Sequence, residues 1–312
     1  MASTDQTAIP SFIESAKTEF GERVPGGTSS PPAKLVVASY NIRYAVGQFL
    51  ISTGILRKVG LNVPGNRSQA VADNIRLAAQ AFTEGLRLPP VDILALQEAD
   101  KETMRSGGHH VTRELAELLQ MAWVHVSAGI PRGIDPKERQ WWLNFEEQIR
   151  LQDSGDTGVA LLSDFPMEDI TRIDLPWHEC PWRPRLSLGA TIRVGRRALR
   201  IFNSHIDPHS TAGRQLEQLE VVLDHADRFS DPTIVLGDFN TLSRRKCTES
   251  RRLLEARGFT TPFPTGTPTW RGAGLRLHAD WIFVRNVEVS RWGVARGITV
   301  SDHWPIWVEV SI

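Results

Sequence analysis

Six stretches of the chain each carry an acid, amide or imidazole to the edge of an apolar strand. LVVASYN ends in Asn41, DILALQE in Glu98 and LRIFNSH in His205, while TIVLGDFN carries Asp238 and Asn240. Asp280 opens DWIFV, and Ser301, Asp302 and His303 precede WPIWVEV. Ligand sites of sheet-based α/β proteins lie beyond strand ends. If the last two strands run opposite to the first four, their starts fall on the same edge, and all six stretches converge on one cleft. Four carboxylates gathered there, Glu98, Asp238, Asp280 and Asp302, repel one another unless a cation is present. Oxygen donors without cysteine, with Asn41 and Asn240 as neutral members, point to Mg²⁺ or Mn²⁺ rather than zinc. His205 and His303 add proton transfer, or hydrogen bonds to an anionic transition state. The set suits hydrolysis of a phosphate ester, with a metal on a phosphate oxygen and a carboxylate orienting the attacking water.

Each feature alone has a plain structural reading. Glu98 could cap a strand, GDFN could be a turn, and SDH could be a Ser-capped loop. Their joint occurrence, each at a strand edge, is what points to a site.

Short bounded apolar runs predict the strands that must position these groups: 35–42, 92–97, 159–163, 186–194, 199–204, 233–236, 279–284, 290–295 and 304–312. Three amphipathic helices are expected. Val71, Ile75, Ala78 and Phe82 share one face of RSQAVADNIRLAAQAF, with Ser68 as its N-cap. Leu115, Leu118, Leu119 and Ala122 do the same in TRELAELLQMAW, and Leu216, Leu219, Leu223, Ala226 and Phe229 in RQLEQLEVVLDHADRF. Strands and helices alternate in the first half and strands dominate the last third, so mixed sheets covered by helices are expected. Residues 1–33, with the run VPGGTSSPPAK, read as a flexible tail holding at most a short helix over 11–22; residues 34–312 read as one domain.

The segments ASYNIRY, LALQEAD, TGVALLSDFP, FNSHIDPH, VLGDFN, HADWIF and VSDHWPI resemble the endonuclease/exonuclease/phosphatase superfamily, the group of deoxyribonuclease I and the inositol polyphosphate 5-phosphatases. They come in family order and cover essentially all of 34–312. The resemblance implies an α+β, four-layer α/β/β/α sandwich of two packed mixed sheets. It implies Glu98 as principal metal ligand with Asn41 and Asp302 beside it, and Asp238 as the group that positions or deprotonates water. It implies Asn240 and His303 on the phosphate, Asp280 orienting His303, and His205 stabilising the transition state or protonating the leaving oxygen. Asp207 matches a His-x-Asp pattern of many members and reads equally well as a turn residue. Apurinic endonucleases place a mid-chain tyrosine in the site, whereas this chain has only Tyr40 and Tyr44, so the resemblance leans away from abasic-site repair. LQEADKETMRSGGHHVTRELAELL is similar to the bacterial metal-dependent hydrolase branch.

The expectation is thus a metal-dependent phosphoesterase, more a phosphodiesterase than a phosphatase, on a phospholipid or small organophosphate ahead of DNA or RNA. A non-catalytic binding module is the alternative, and it should have lost one of Glu98, Asp238, Asn240 or His303. With 36 basic and 36 acidic residues, the chain lacks the gross basic excess of a dedicated DNA binder. Local arginine runs at 181–200 and in RRKCTESRRLLEAR could contact a phosphodiester or an anionic membrane, or form solvated helix and hairpin faces. Arg214, between the His205 strand and a helix, is a candidate phosphate clamp. The stretches 45–65 and 131–150, the latter with Trp141, Trp142 and Phe145, read as insertions over the site: core packing, or a peripheral contact with lipid or bases. His109, His110, His178 and Cys180 lack neighbours at ligand spacing. Two cysteines, no apolar run near the ~20 residues of a membrane span, and no signal-peptide pattern lead to the expectation of a cytoplasmic monomer.

Overall fold

In a computed structural model, described for residues 18–22, 32–47, 67–132, 149, 152–176, 184–272 and 274–312, two large mixed sheets pack face to face with helices outside them. The chain forms β1 (Thr18–Gly21), β2 (Leu35–Asn41), α1 (Arg67–Thr83), β3 (Ile93–Lys101), α2 (Val111–Leu119), β4 (Ala122–Ser127) and β5 (Asp156–Ser163). There follow β6 (Met167–Leu175), β7 (Arg185–Val194), β8 (Arg197–His205), α3 (Ala212–Ala226), β9 (Thr233–Asp238) and α4 (Arg244–Ala256). The chain closes with β10 (Trp270–Gly272), β11 (Leu275–Leu277), β12 (Asp280–Arg285), β13 (Glu288–Val294) and β14 (Ile306–Ser311). One sheet has the order β1-β4-β5-β3-β2-β14-β13 and the other β12-β9-β8-β7-β6. Each contains one parallel pair, β2 with β3 and β8 with β9, among antiparallel neighbours. The result is the expected α+β sandwich.

The strands read as unbroken apolar runs because both faces of each sheet are covered. In β2, Leu35 and Val37 join the core between the sheets, while Val36, Ala38 and Tyr40 pack under α1 and α2. In β3, Ile93 and Ala95 face inward, and Leu94 and Leu96 face the helices. This period of two decides where the polar residues at the strand ends point. Beyond the other sheet, α3 contributes Leu219, Val222 and Leu223, and α4 contributes Leu254.

Several expectations are revised. The second expected stripe, TRELAELLQMAW, is two elements: Gln120 takes a left-handed φ of 56° and ends α2, and Ala122 and Trp123 enter β4. Pairing with β5 outweighs helix propensity there. At 18–21 the expected helix gives way to β1, an edge strand on β4; the rest of 1–17 lies outside the described residues. Ser68 lies inside the first turn of α1 rather than before it, and its Oγ is 2.8 Å from His109 Nε2. The strand β6 was not expected, because MEDITRIDL carries three acids and an irregularity between Glu168 and Thr171 breaks its alternation. Of the insertions, only 45–47, 131, 132 and 149 are described; His178, Cys180 and Arg183 also lie outside the described residues. Among the described residues no helix is long and apolar enough to cross a membrane.

Part of the arginine runs is engaged within the protein. Arg200 is buried and donates to Asp169 O and Thr191 Oγ1, Arg197 donates to Pro32 O and Ile312 O, and Arg193 pairs with Glu168. On α4, Arg245 pairs with Glu249 and Arg251 with Glu255.

Candidate active site

Pairing directions bring the polar strand ends to one edge. In its sheet β9 lies between β8 and β12. Parallel pairing sets His205 beside Asp238, and antiparallel pairing sets Asp280 on the other side of Asp238. In the facing sheet β14 runs antiparallel to β2, so the Asp302–His303 segment that leads into it arrives at the end where Asn41 leaves. Gly237 makes the β8–β9 approach feasible. Its φ is +134°, and a Cβ there would lie 2.0 Å from Ser204 O.

Asp238 is the hub. Its Oδ2 accepts from Asn41 Nδ2 at 2.9 Å across the sheet interface, and its Oδ1 accepts from Asn240 N at 2.9 Å. The same Oδ2 stands 3.7 Å from His205 Nε2 and 3.8 Å from His303 Nε2. His303 Nδ1 is 2.9 Å from Asp280 Oδ2, which fixes the ring and leaves Nε2 to the cleft. Asn240, held at φ 51°, donates from Nδ2 to Ile206 O at 2.9 Å.

Glu98 reaches the cleft only through a backbone irregularity. By alternation it should face α1 and α2, as Leu94 and Leu96 do. A φ of 49° and a register shift between Leu96 and Ala99 turn it instead toward His205, with Oε1 3.8 Å from Nε2. A bulge of this kind re-aims a side chain. The strand β3 therefore does not stop at Gln97, as expected, but runs on past Glu98 to Lys101.

Asp302 is held by Arg43 Nη1 at 3.0 Å and Trp270 Nε1 at 2.8 Å. Arg43, Tyr44 and Ala45 have consecutive positive φ values of 47°, 43° and 57°, and Asn41 Oδ1 accepts from Arg43 N. Left-handed backbone of this kind is strained for residues with a Cβ. Burial pulls the Arg43 guanidinium down, but Asp302 and Glu98 more than offset it.

Burial pushes the Asp238 carboxyl up to about 7, with Asp280 adding to the rise and His303 opposing it. Burial pushes the His303 ring down, yet Asp280 and Asp238 carry it up to about 10. The cleft thus favours an imidazolium and carries a surplus of buried negative charge. Ligand atoms of Asp238, Asp280 and His303 all lie within 4.8 Å of one another.

Arg214 sits otherwise than expected, and Asp207 follows the turn reading that stood beside its family match. Arg214 lies on α3 with its guanidinium 2.7 Å from Glu217 Oε2 at a half-exposed surface. Asp207 is fully buried and anchors its own turn, accepting from Ser210 Oγ at 2.6 Å and His209 N at 3.0 Å. Three residues were missed. Arg43 gave no signal beyond lying inside ASYNIRY. Gln97 and Asn203 are polar residues inside apolar strands, which was a readable signal. Asn203 Nδ2 donates to Leu96 O at 2.9 Å and Ala160 O at 2.8 Å, and its Oδ1 accepts from Gln97 Nε2 at 2.7 Å, tying the sheets together beneath the cleft.

The sequence profile described as the Endonuclease/Exonuclease/phosphatase family matches residues 38–303. The chain belongs to this family. Solved structures of the same fold include an endonuclease/exonuclease/phosphatase from Beutenbergia cavernae, 17% identical, with a TM-score of 0.62, over 90% of this chain and 72% of that one. A mannosyl-6-phosphatase from Bacteroides thetaiotaomicron is 17% identical, with a TM-score of 0.59, over 89% of this chain and 100% of that one. Truncated Caenorhabditis elegans TDP2 is 15% identical, with a TM-score of 0.53, over 89% and 98%. None of the curated proteins matches the chain. Endonuclease/exonuclease/phosphatase proteins are phosphoester hydrolases as a class, and the buried Asp238–Asp280–His303 group lies at the strand edge where this fold places its polar ends.

Proposed function

We propose that this chain hydrolyses a phosphate ester by in-line attack of water, with a divalent cation, on a phospholipid or small organophosphate. One observation carries the reading: a single buried carboxylate oxygen, Asp238 Oδ2, stands within 3.8 Å of two imidazole nitrogens, those of His205 and His303. The donor set fits a hard cation, since Glu98 and Asp302 offer carboxylate oxygens, Asn41 an amide oxygen, and no thiolate is among them. Burial, with Asp280 adding to it, disfavours the charged form of the Asp238 carboxyl, and a nearby cation would favour that form again. Mg²⁺ or Mn²⁺, held by Glu98 with Asn41 and Asp302 beside it, would neutralise charge developing on the phosphate.

The chain's own residues supply the rest. Asp238 accepts a proton from the attacking water and fixes its direction. His303, held at Nδ1 by Asp280, donates from Nε2 to a phosphate oxygen as charge builds. His205 faces the same carboxylates and serves the leaving oxygen. Asn240 keeps one amide hydrogen beyond its bond to Ile206 O for the phosphate. Nucleic acid is the weaker reading, because Arg193, Arg197, Arg200, Arg245 and Arg251 are engaged within the protein.

A panel of plasmid and single-stranded DNA, RNA, sphingomyelin, phosphatidylinositol lipids and bis-p-nitrophenyl phosphate, with and without Mg²⁺ or Mn²⁺, tests the proposal. Metal-dependent turnover of a lipid or small ester is expected. Full turnover in EDTA, or turnover of nucleic acid alone, would overturn it.

A further inference from the structure

Arg185 opens β7 and is only 3% exposed. Its Nη1 lies 2.9 Å from Nε2 and 3.1 Å from Nδ1 of His205. Its other two nitrogens, Nε and Nη2, are buried and donate no hydrogen bond among the described residues. Asp207 stands 3.9 Å from Nη2, but that carboxylate already accepts from Ser210 and His209. A guanidinium keeps its charge when buried, and leaving its donors unmatched is costly. The Asp207 carboxylate offsets part of that cost without supplying a hydrogen bond to either nitrogen. Arg185 and His205 together line a pocket with Ala128, Thr157, Gly158 and Pro184. His205 is also the ring that faces Glu98 and Asp238, so the pocket adjoins the reacting centre.

Nε and Nη2 are the adjacent pair of the guanidinium fork, the pair that grips two oxygens of one carboxylate or phosphate. We infer that Arg185 is an anion-binding residue of the substrate site, its Nε and Nη2 holding two oxygens of an oxyanion that the substrate carries against His205. The inference takes its ligand class from the phosphoester reading. The oxyanion is either the phosphate under attack or a second anionic group beside it, and the two share the same chemistry at the fork.

Calorimetric titration of the full chain with inorganic phosphate, which needs no turnover, tests this directly. Arg185→Gln should weaken phosphate binding tenfold or more. Arg185→Lys keeps the charge but lacks the fork, and should still lose several-fold; it also serves if the Gln variant fails to fold by circular dichroism. Unchanged phosphate affinity in the folded variants, or no phosphate binding by the wild type, would overturn the inference. Kinetics with bis-p-nitrophenyl phosphate and with a sugar bisphosphate then separate the sources. Equal loss of kcat/KM on both assigns the fork to the reacting phosphate, and loss on the bisphosphate alone assigns it to the second group. Arg185-dependent phosphate binding in a wild type that hydrolyses no ester would sink the hydrolase reading and leave the anion site standing.

Discussion

His303 is held between two buried carboxylates: its Nδ1 is 2.9 Å from Asp280 Oδ2, and its Nε2 is 3.8 Å from Asp238 Oδ2. One acid fixes the ring and the other shares its working face. The ring comes from the segment before β14 in one sheet, and both acids lie at strand ends of the other. The cleft therefore exists only when the sheets are docked.

That relationship sets a pH dependence. The folded value of His303, about 10, lies above the ordinary imidazole value of 6.5. The stabilisation it brings is complete below about 6.5 and is lost as pH rises toward 10. Asp280→Asn removes a main source of the rise. Its urea midpoint should fall further below wild type at pH 6 than at pH 10; an equal deficit at both would contradict the pairing.

Two other imidazoles work in the opposite sense. Burial pushes His125 and His278 down to about 3, so both are neutral in the folded protein. The unfolded chain binds their protons first, and stability should fall as pH drops from about 6.5 toward 3. In His125→Asn, which removes one of these sites, the drop in urea midpoint between pH 7 and pH 5 should shrink. A drop as large as in wild type would count against a buried neutral ring.

Much of this architecture was legible because both sheets are covered. Unbroken apolar runs such as Leu35–Tyr40 and Thr233–Leu236 marked the strands, and a polar residue after each run marked the edge. What alternation could not show was backbone that breaks it. Glu98 was found as a residue, but not the left-handed turn that aims it. β4 was hidden because Ala122 extends the helical stripe of α2, and only pairing with β5 decides its state. Arg185 was visible as one of six arginines; its burial against His205 depends on contacts distant in sequence.

The clamp beneath the cleft should be measurable. Asn203→Leu leaves Leu96 O, Ala160 O and the Gln97 amide short of a partner in the core between the sheets. Each such group costs about 1–3 kcal/mol, so a loss of about 2 kcal/mol or more in urea unfolding is expected. A loss under about 0.5 kcal/mol, the scale of an ordinary surface change, would show that the clamp is not needed.

Gly237→Ala tests the close approach of β8 and β9. The added methyl meets backbone, Ser204 O at 2.0 Å, which cannot swing aside as a side chain can. The variant should be poorly folded or melt far below wild type. A wild-type melting temperature would mean that the strands stand further apart.

The most direct test is steady-state hydrolysis of bis-p-nitrophenyl phosphate by Asp238→Asn in saturating Mg²⁺, with melting followed in parallel. The amide retains the shape and the bond from Asn240 N but cannot take a proton from water. The account predicts a fall in kcat of about a hundredfold or more, in line with loss of a general base, in a variant that still melts cooperatively although it loses the bond from Asn41 Nδ2. Turnover at the wild-type rate in the folded variant would contradict it.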